Sequence, residues 1–207
     1  MPEEDCSKQK LLEDFCAFHD IKDCSKKIKA FMNKKENYIT VYTDGGCTGN
    51  GTLCAKAGIG IFIENNKYEH SETCKKIVDK FFPKLKIGKY TNQKAELLAI
   101  FRALILLQDQ KNPIHIKSDS MYSINIFTKW YKTWMKNGWK TASGKPIENK
   151  EIIMRILELL ENKKVVFFHV EAHKTQPDPS KACYMDWYGN NVADSLATRA
   201  VKNATEN

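Results

Sequence analysis

The chain has 207 residues, 42% of them hydrophobic and 28% charged, a balance typical of one globular domain with a short extension. No run approaches the roughly 20 apolar residues that span a bilayer, and the acidic amino terminus lacks the apolar core of a secretory signal. The seven cysteines are scattered without a C-x-x-C pair, which argues against a disulfide framework or a zinc site. These features predict a protein that is neither secreted nor membrane-bound, in a reducing intracellular compartment such as the cytoplasm or nucleus.

The net charge of +8 is unevenly distributed along the chain. Residues 1–37 carry eight lysines and eight acidic residues, whereas residues 38–207 carry 25 lysines and arginines against 17 acidic residues. An excess of positive charge in one domain favours a polyanionic partner such as a nucleic acid. We therefore divide the chain into an amino-terminal extension, 1–37, and a main domain, 38–207.

The extension contains one predicted amphipathic helix, Leu11 to Ile21, followed by a lysine-rich linker. The favoured interpretation is a helix that packs on the main domain, with the linker in solvent. The alternative is a small element that docks a partner or binds nucleic acid. The sequence leaves any protein partner of residues 1–37 unidentified.

The main domain begins with strands and then alternates helix and strand. Strands are predicted at 38–44, 57–64, 67–78, 114–119 and 165–170, with a loop at 79–90 before the first helix. Helices are predicted at 92–107, from 120 into a tryptophan- and lysine-rich segment at 129–140, at 149–162 and at 190–202. This order predicts an α/β protein whose mixed sheet carries helices on its faces.

Four carboxylates stand at positions that such a sheet can bring together. Asp44 and Asp119 each end an apolar predicted strand. Glu96 lies in the first predicted turn of its helix, and Asp194 lies near the predicted start of the last helix. Each also has a purely local explanation, as a first-turn acid, a helix cap or the start of a turn. Four converging carboxylates would repel one another unless cations neutralised them, and their hard oxygen atoms favour Mg²⁺ or Mn²⁺ over zinc.

The order of short motifs in the main domain resembles that of the ribonuclease H family, and most closely its type 1 members: YTDGG…NG, AGIG, TNQKAEL, SDS and H…GNNVAD. The resemblance implies a ribonuclease H-like fold with a five-stranded mixed sheet, flanking helices and a basic protrusion. It also implies hydrolysis of the RNA strand of RNA–DNA hybrids by two Mg²⁺ ions, with Mn²⁺ as a substitute, giving 5′-phosphate and 3′-hydroxyl ends. The family's four metal-binding carboxylates fall on Asp44, Glu96, Asp119 and Asp194.

The resemblance further implies a mobile histidine, at His173, that assists proton transfer or product release. In this chain His173 lies 21 residues before Asp194, a longer spacing than the family usually has, because an insertion lengthens the loop between them. His169 lies within the preceding strand, and we interpret it as a packed structural residue.

The segment KWYKTWMKNGWK, 129–140, interleaves lysines with large aromatic residues, and no acidic residue lies between Asp119 and Glu148. Lysines attract phosphates and flat rings stack on sugars or bases, so the segment predicts a nucleic-acid surface. The less favoured alternative is a helix whose tryptophans are core and whose lysines are merely solvated. The resemblance implies that this is the protrusion that grips the DNA strand, and the implied DNA contacts are Lys89, Thr91, Trp130, Trp134 and Asn149.

Recognition of the RNA strand requires a contact with its 2′-hydroxyl groups. The resemblance places these contacts on Gly46, Cys47, Asn50, Asn92 and Gln93. Two local alternatives stay open, because Cys47 is also a potential metal ligand or small turn residue and Asn92 a potential helix cap.

These inferences identify a monomeric, single-domain member of the type 1 ribonucleases H whose partner is an RNA–DNA hybrid. Another nuclease or integrase-like member of the same superfamily is the enzymatic alternative. A hybrid-binding module with an inactive site is the other, and the presence of all four acidic positions argues against it.

Overall fold

A five-stranded mixed sheet forms the centre of the molecule in the computed structural model, which describes residues 37–85 and 89–204. The strands are β1 (Ile39–Thr48), β2 (Lys56–Ile63), β3 (Tyr68–Thr73), β4 (Ile114–Ser118) and β5 (Val165–His169). Their order across the sheet is β3-β2-β1-β4-β5. The first three strands are antiparallel, whereas β4 pairs in parallel with both β1 and β5. The predicted α/β class with a mixed sheet is therefore confirmed, whereas the predicted helix in residues 11–21 lies outside the described residues.

Helices cover both faces of this sheet. They are α1 (Cys74–Phe81), α2 (Asn92–Leu106), α3 (Met121–Asn125), α4 (Tyr131–Lys136), α5 (Lys150–Leu160) and α6 (Tyr184–Asn203). The chain between α3 and α4 is a π-helical stretch, Ile126–Trp130. Within the described ranges, no helix combines the length and apolarity that crossing a membrane requires.

Alternate residues of β1 point to opposite faces, as the period of a strand demands. Ile39 and Val41 join the large apolar core beneath α1, α2 and α5. Tyr42 belongs to a smaller cluster with Phe62 on the face that α6 covers. Because β1 is buried on both sides, its residues meet helices from both layers.

The third strand is shorter than predicted, because β3 ends at Thr73 and α1 begins at Cys74. Thr73 caps this helix by accepting a hydrogen bond from the Lys76 amide at 3.4 Å. The apolar pair Ile77 and Val78 resembles the continuation of a strand, but with Cys74 it follows helical spacing and is buried. The predicted loop at 79–90 accordingly begins with the last turn of α1.

Three of the predicted carboxylate positions also differ in local context. Asp44 lies inside β1, which continues to Thr48, and not at the end of a strand. Glu96 is the fifth residue of α2, beyond its first turn. Helix α6 begins at Tyr184, six residues before the predicted start, so Asp194 lies near the middle of this helix.

Candidate active site

Glycines on β2 allow α6 to lie directly against the sheet. Gly60 is paired with Asp44 across the antiparallel ladder, and the two residues therefore share a face. A Cβ atom on Gly60 would lie 1.9 Å from the carbonyl oxygen of Ala193, so only glycine permits this approach of the helix. Asp194 follows Ala193, and its negative charge is close enough to raise the pKa of Asp44.

Gly45 provides the corresponding contact on the other face of β1. A Cβ atom on this residue would lie 2.2 Å from the backbone nitrogen of Glu96. The start of α2 is therefore held against β1 at the residue after Asp44. This contact explains how Glu96 on α2 and Asp44 on β1 come close together.

Three of the four predicted carboxylates meet at this point. Asp44, Glu96 and Asp119 each offer an oxygen atom, and these atoms lie within 4.8 Å of one another. Asp44 and Glu96 are buried, whereas Asp119, directly after β4, is partly accessible. The group contains no cysteine, and Cys47 therefore stands apart from the carboxylates among the described residues.

The pKa values of the two buried carboxyl groups are raised, because burial and neighbouring negative charges both disfavour their ionised forms. Burial raises the pKa of Asp44 to about 7, with the charges of Asp119 and Asp194 adding to the effect and hydrogen bonds from Gly45 and Glu96 opposing it. Burial and the charge of Asp44 also raise the pKa of Glu96 well above its usual range. A side-chain hydrogen bond joins Glu96 to Asp44, and it lowers the pKa of Asp44 while it raises that of Glu96. The Oε2 atom of Glu96 is buried and lacks a hydrogen-bond partner, so this oxygen is left for a ligand.

His173 lies in the loop between β5 and α6, exposed and with a left-handed backbone (φ 52°). The neighbouring Lys174 carbonyl accepts a hydrogen bond from the Trp187 indole at 2.9 Å, which fastens this loop to the first turn of α6. The part of His173 in catalysis stays a prediction.

The basic protrusion consists of the π-helical stretch, α4 and the turn that follows. Trp130 and Trp134 have ring centroids 5.7 Å apart, and Trp130 is 36% exposed. Trp134 and Trp139 pack at the edge of the large core. The alternative in which the tryptophans of this segment are core residues is therefore correct in part for these two rings. The lysines of the segment are exposed: Lys129, Lys132, Lys136 and Lys140.

The predicted DNA-phosphate contacts lie at the starts of two helices. Thr91 caps α2 by accepting a hydrogen bond from the Lys94 amide at 3.2 Å, so the capping role suggested for Asn92 is wrong. Asn149 precedes α5 with a left-handed backbone (φ 59°) and shares a hydrogen bond with the Tyr122 hydroxyl. Lys89 is exposed, and its carbonyl accepts a hydrogen bond from the Lys94 ammonium at 2.5 Å.

The predicted RNA contacts occupy the end of β1, the following turn and the start of α2. The Asn50 side chain accepts a hydrogen bond from the Asn92 amide at 2.9 Å, which joins the turn to the helix. Asn92 and Gln93 are exposed. Gly46 and Cys47 lie within β1, and partial burial raises the pKa of the Cys47 thiol. Direct contact of all five residues with RNA stays a prediction.

A polar junction that the sequence did not predict lies beside the carboxylates. The buried Tyr42 hydroxyl donates to Asp186 at 3.0 Å, and Lys117 forms an ion pair with the same carboxylate. Burial, together with the charges of Asp186 and Glu64, raises the pKa of Tyr42. Tyr42 and Lys117 are paired across β1 and β4, and each stands two residues before a carboxylate, Asp44 or Asp119. This shared spacing is visible in the sequence and could have indicated the pair. Asp186 was missed because residues 184–189 were predicted as loop.

Solved structures with the same arrangement define the class of fold. The solution structure of the PFV RNase H domain matches with a TM-score of 0.60 and 24% identity, over 84% of this chain and 98% of that one. LC9-RNase H1, described as a type 1 RNase H with the type 2 active-site motif, matches with a TM-score of 0.60 and 20% identity, over 81% and 73%. A foamy viral protease-reverse transcriptase solved in complex with RNA/DNA hybrid matches with a TM-score of 0.58 and 22% identity, over 80% and 20%. The fold is that of RNase H.

Sequence comparison then gives the family. The RNase H family model matches residues 36–202, so the chain belongs to the RNase H family. Ribonuclease H1 of Mus musculus is 32% identical over 183 residues, 88% of this chain and 55% of the mouse protein. Ribonuclease H of Chlorobaculum parvum is 34% identical over 168 residues, 81% of this chain and 97% of that protein. The chain thus spans about half the length of the mammalian relatives it matches.

Proposed function

We propose that this chain is an endoribonuclease that hydrolyses the RNA strand of RNA–DNA hybrids and leaves 5′-phosphate and 3′-hydroxyl ends. The observation that carries the proposal is the meeting of Asp44, Glu96 and Asp119 in a chain of the RNase H family. Relatives that align over nearly their whole length are named ribonuclease H, which supports the same reaction. The proposed enzyme acts as a monomer in a reducing intracellular compartment.

The carboxylate cluster fits divalent cations in its donor set. It offers oxygen atoms alone, which Mg²⁺ and Mn²⁺ prefer, and one of them, Glu96 Oε2, is buried without a partner. Bound in a pair, such ions activate a water and stabilise the leaving oxygen of a phosphodiester. We assign their binding to Asp44, Glu96, Asp119 and Asp194, with Mg²⁺ as the physiological ion and Mn²⁺ as a substitute.

The residues of the cluster differ in what they contribute. Asp44 faces the other three acids, because α2 approaches β1 at Gly45 and α6 approaches β2 at Gly60. Asp119 is more accessible than Asp44 and Glu96, so the cluster opens towards solvent on its side. The scissile phosphate is therefore expected to approach from the Asp119 side, while the buried pair fixes the position of the charge.

The substrate surface combines a minor-groove contact for RNA with a basic contact for DNA. Asn50 and Asn92 are joined by a hydrogen bond at 2.9 Å and form one polar edge beside β1. The exposed Trp130 ring and the lysines around it supply stacking and phosphate attraction on the protrusion. His173 is proposed to assist proton transfer or product release.

The test is a cleavage assay on matched RNA–DNA, RNA–RNA and DNA–DNA duplexes with Mg²⁺. Wild-type protein should cut only the RNA strand of the hybrid. Asp44→Asn should lose several kcal/mol of transition-state stabilisation, or about a hundredfold to a thousandfold in rate, because an ion-binding charge is removed. Asp109→Asn, an exposed acid beyond the end of α2, is the matched control and should retain full activity.

Two results would count against the proposal. Cleavage of DNA–DNA at a comparable rate indicates a different nuclease of the superfamily. Hybrid binding by wild-type protein without any cleavage, in Mg²⁺ or in Mn²⁺, indicates a binding module.

A further inference from the structure

An apolar groove of about 720 Å³ lies between α4 and α5, on one side of the protrusion. Its lining includes Met135, Trp139, Met154 and Leu157. Met135 and Met154 are 54% and 39% exposed, so apolar side chains face outward at this place. Methionine adapts to irregular surfaces, and methionine-rich grooves are typical receptors for amphipathic helices.

A second groove connects this surface to the point where the described chain begins. It is lined by Asn37 and by residues 108–113 between α2 and β4. Four residues line both grooves: Glu158, Asn162, Lys163 and Lys164. The polypeptide before Asn37 therefore joins the main domain beside a depression that adjoins the apolar groove and shares four lining residues with it.

The segment before Asn37 carries a complementary surface. The predicted helix at 11–21 places its large apolar residues on one face: Leu11, Leu12, Phe15, Phe18 and Ile21. The 15 residues between Ile21 and Asn37 can span up to roughly 50 Å when extended, which exceeds the roughly 17 Å length of α5, the helix that borders both grooves. A tether of this length also gives an effective concentration on the order of millimolar for the helix at the groove.

The charges around the groove are compatible with the same pairing, since its own lining carries two glutamates and two lysines: Glu158, Glu161, Lys163 and Lys164. Residues 1–24 carry seven acidic and three basic residues, a net charge of −4. Residues 129–145, from the exposed end of the π-helical stretch to the chain beyond α4, carry five lysines and no acidic residue. An acidic helix beside this segment reduces the repulsion among its lysines.

We propose that residues 11–21 dock as an amphipathic helix in the groove between α4 and α5 of the same chain, with Phe15 and Phe18 against Met135 and Met154. Tyr131 and Met135 lie one position after Trp130 and Trp134, and so about 100° around the helix from them. Docking therefore leaves the tryptophan pair accessible and supports α4 from its side. The interaction is independent of the proposed enzymatic activity.

The test uses the full-length chain with ¹³C-labelled methionine methyl groups, its six methionines assigned by single Met→Leu substitutions. In wild-type protein, nuclear Overhauser contacts should join the Phe15 and Phe18 rings to the methyl groups of Met135 and Met154. Phe15→Lys should remove its contacts and shift both methyl resonances, while the Met185 resonance stays in place. Asp20→Asn changes the charge by the same amount on the opposite face of the predicted helix and should leave all the spectra unchanged.

A second pair of variants tests the groove itself. Met154→Asp places a charge in the groove and should abolish the contact between Phe15 and Met135. Met185→Asp adds the same charge at an exposed methionine of α6 and should preserve that contact. Both sites are exposed, so correct folding of each variant is expected and is checked by the unchanged methyl spectrum of Met121.

Each other occupant of the groove gives a distinct result. Methyl resonances of Met135 and Met154 that ignore Phe15→Lys overturn the proposal. Shifts that depend on concentration, together with a dimer in sedimentation, assign the groove to a second copy of the chain and overturn docking within one chain. Resonances that respond to an RNA–DNA hybrid and not to Phe15→Lys assign the surface to nucleic acid, with the same consequence.

Discussion

The carboxylate cluster and the basic protrusion are built on opposite principles. The cluster is held by backbone-to-backbone contacts at Gly45 and Gly60, where even one methyl group has no room. The protrusion is held by side chains at the rim of the core and presents Trp130 and its lysines to solvent. Charges that must lie within a few ångströms require a rigid frame, whereas phosphate attraction and stacking tolerate movement. Substitutions in the two regions should therefore have different consequences.

Among substitutions outside the carboxylates themselves, the largest effect is expected for Gly60→Ala. The added methyl group would collide with the Ala193 carbonyl, so α6 must shift and carry Asp194 with it. Overpacking of this kind costs about 1–3 kcal/mol of stability, and a displacement of 1 Å in a catalytic group can cost about a hundredfold in rate. Thermal unfolding and the hybrid-cleavage rate measure the two effects. Gly138→Ala is the control for the loss of stability. This substitution introduces backbone strain, because Gly138 has a left-handed φ, but no atom lies near the added Cβ. Gly138→Ala should therefore lower stability and retain cleavage. Equal loss of cleavage in both variants would contradict the difference between the regions.

Cation binding should stabilise the cluster and leave the protrusion unaffected. Mg²⁺ that binds only the folded state at a hundred times its dissociation constant adds about 2.7 kcal/mol to the free energy of unfolding. The rise in the midpoint of thermal unfolding on Mg²⁺ addition should be present in wild-type protein and in Trp134→Ala, and should be lost in Asp44→Asn. A rise that persists in Asp44→Asn would place the ions elsewhere.

Trp134→Ala and Trp130→Ala should weaken hybrid binding while the metal response stays normal. Loss of a stacking ring costs about 1–3 kcal/mol, equivalent to roughly a fivefold to 150-fold rise in the dissociation constant. Trp134 also packs on the core, so Trp134→Ala should lower stability as well, whereas the more exposed Trp130 should affect binding alone. Fluorescence anisotropy with a labelled hybrid measures the binding. Unchanged affinity in both variants would contradict the assignment of the protrusion to the substrate.

The lysines of the protrusion should show a graded, salt-dependent effect. Each phosphate contact that is lost lowers the slope of log affinity against log salt concentration by about one. Lys129→Ala and Lys136→Ala are expected to reduce this slope, whereas Lys75→Ala, an exposed lysine of α1 paired with Asp79, should leave it unchanged. Anisotropy titrations between low and physiological salt distinguish these outcomes.

The smallest effect on stability is expected for a substitution of Glu72, which lies on β3 and belongs to neither the carboxylate cluster nor the protrusion. Burial raises the pKa of Glu72, but hydrogen bonds from Arg102 and His70 outweigh it and lower the pKa overall. Because the folded-state pKa is depressed, Glu72 contributes stability above its unfolded pKa of about 4.5, and this contribution is lost as the pH falls through the folded value. Glu72→Gln should therefore cost about 1 kcal/mol at pH 7 and progressively less below pH 4, with cleavage at neutral pH unchanged. A constant difference across this pH range would show that the ion pair is not the cause.

The sequence predicted those parts of the fold and site that depend on local pattern. Alternation identified β1 and β2, and helical spacing identified α2 and α5. The order of motifs identified Asp44, Glu96 and Asp119, which the structure brings together. The ends of elements were less predictable, because Thr73 caps a helix where the strand was predicted to continue, and α6 begins at Tyr184 within a segment that was predicted as loop.

Contacts between distant parts of the chain could not be predicted from the sequence. Gly60 is an ordinary strand glycine until its partner, Asp44, and the helix above it are known. Asp186 meets Tyr42 across 144 positions of sequence, and residues 184–189, which were predicted as loop, belong to α6. Such pairings depend on the packing of whole layers, for which a single sequence has no short-range signal.

The π-helical stretch, Ile126–Trp130, has a consequence for how the protrusion can vary. A π-helical turn accommodates one residue more than an α-helical turn, and such turns recur at functional sites. Removal of one residue here would convert the stretch into regular α-helix and leave the residues beyond it facing nearly the same way, whereas a deletion within a regular α-helix turns everything beyond it by about 100°. The buried residues Ile126 and Phe127 lie at the start of the stretch, so the core before it would be little affected. A single-residue deletion in this stretch should therefore preserve the direction of Trp134 and its neighbouring lysines, whereas one at residues 131–133 of α4 would turn them away while the carboxylates stay in place.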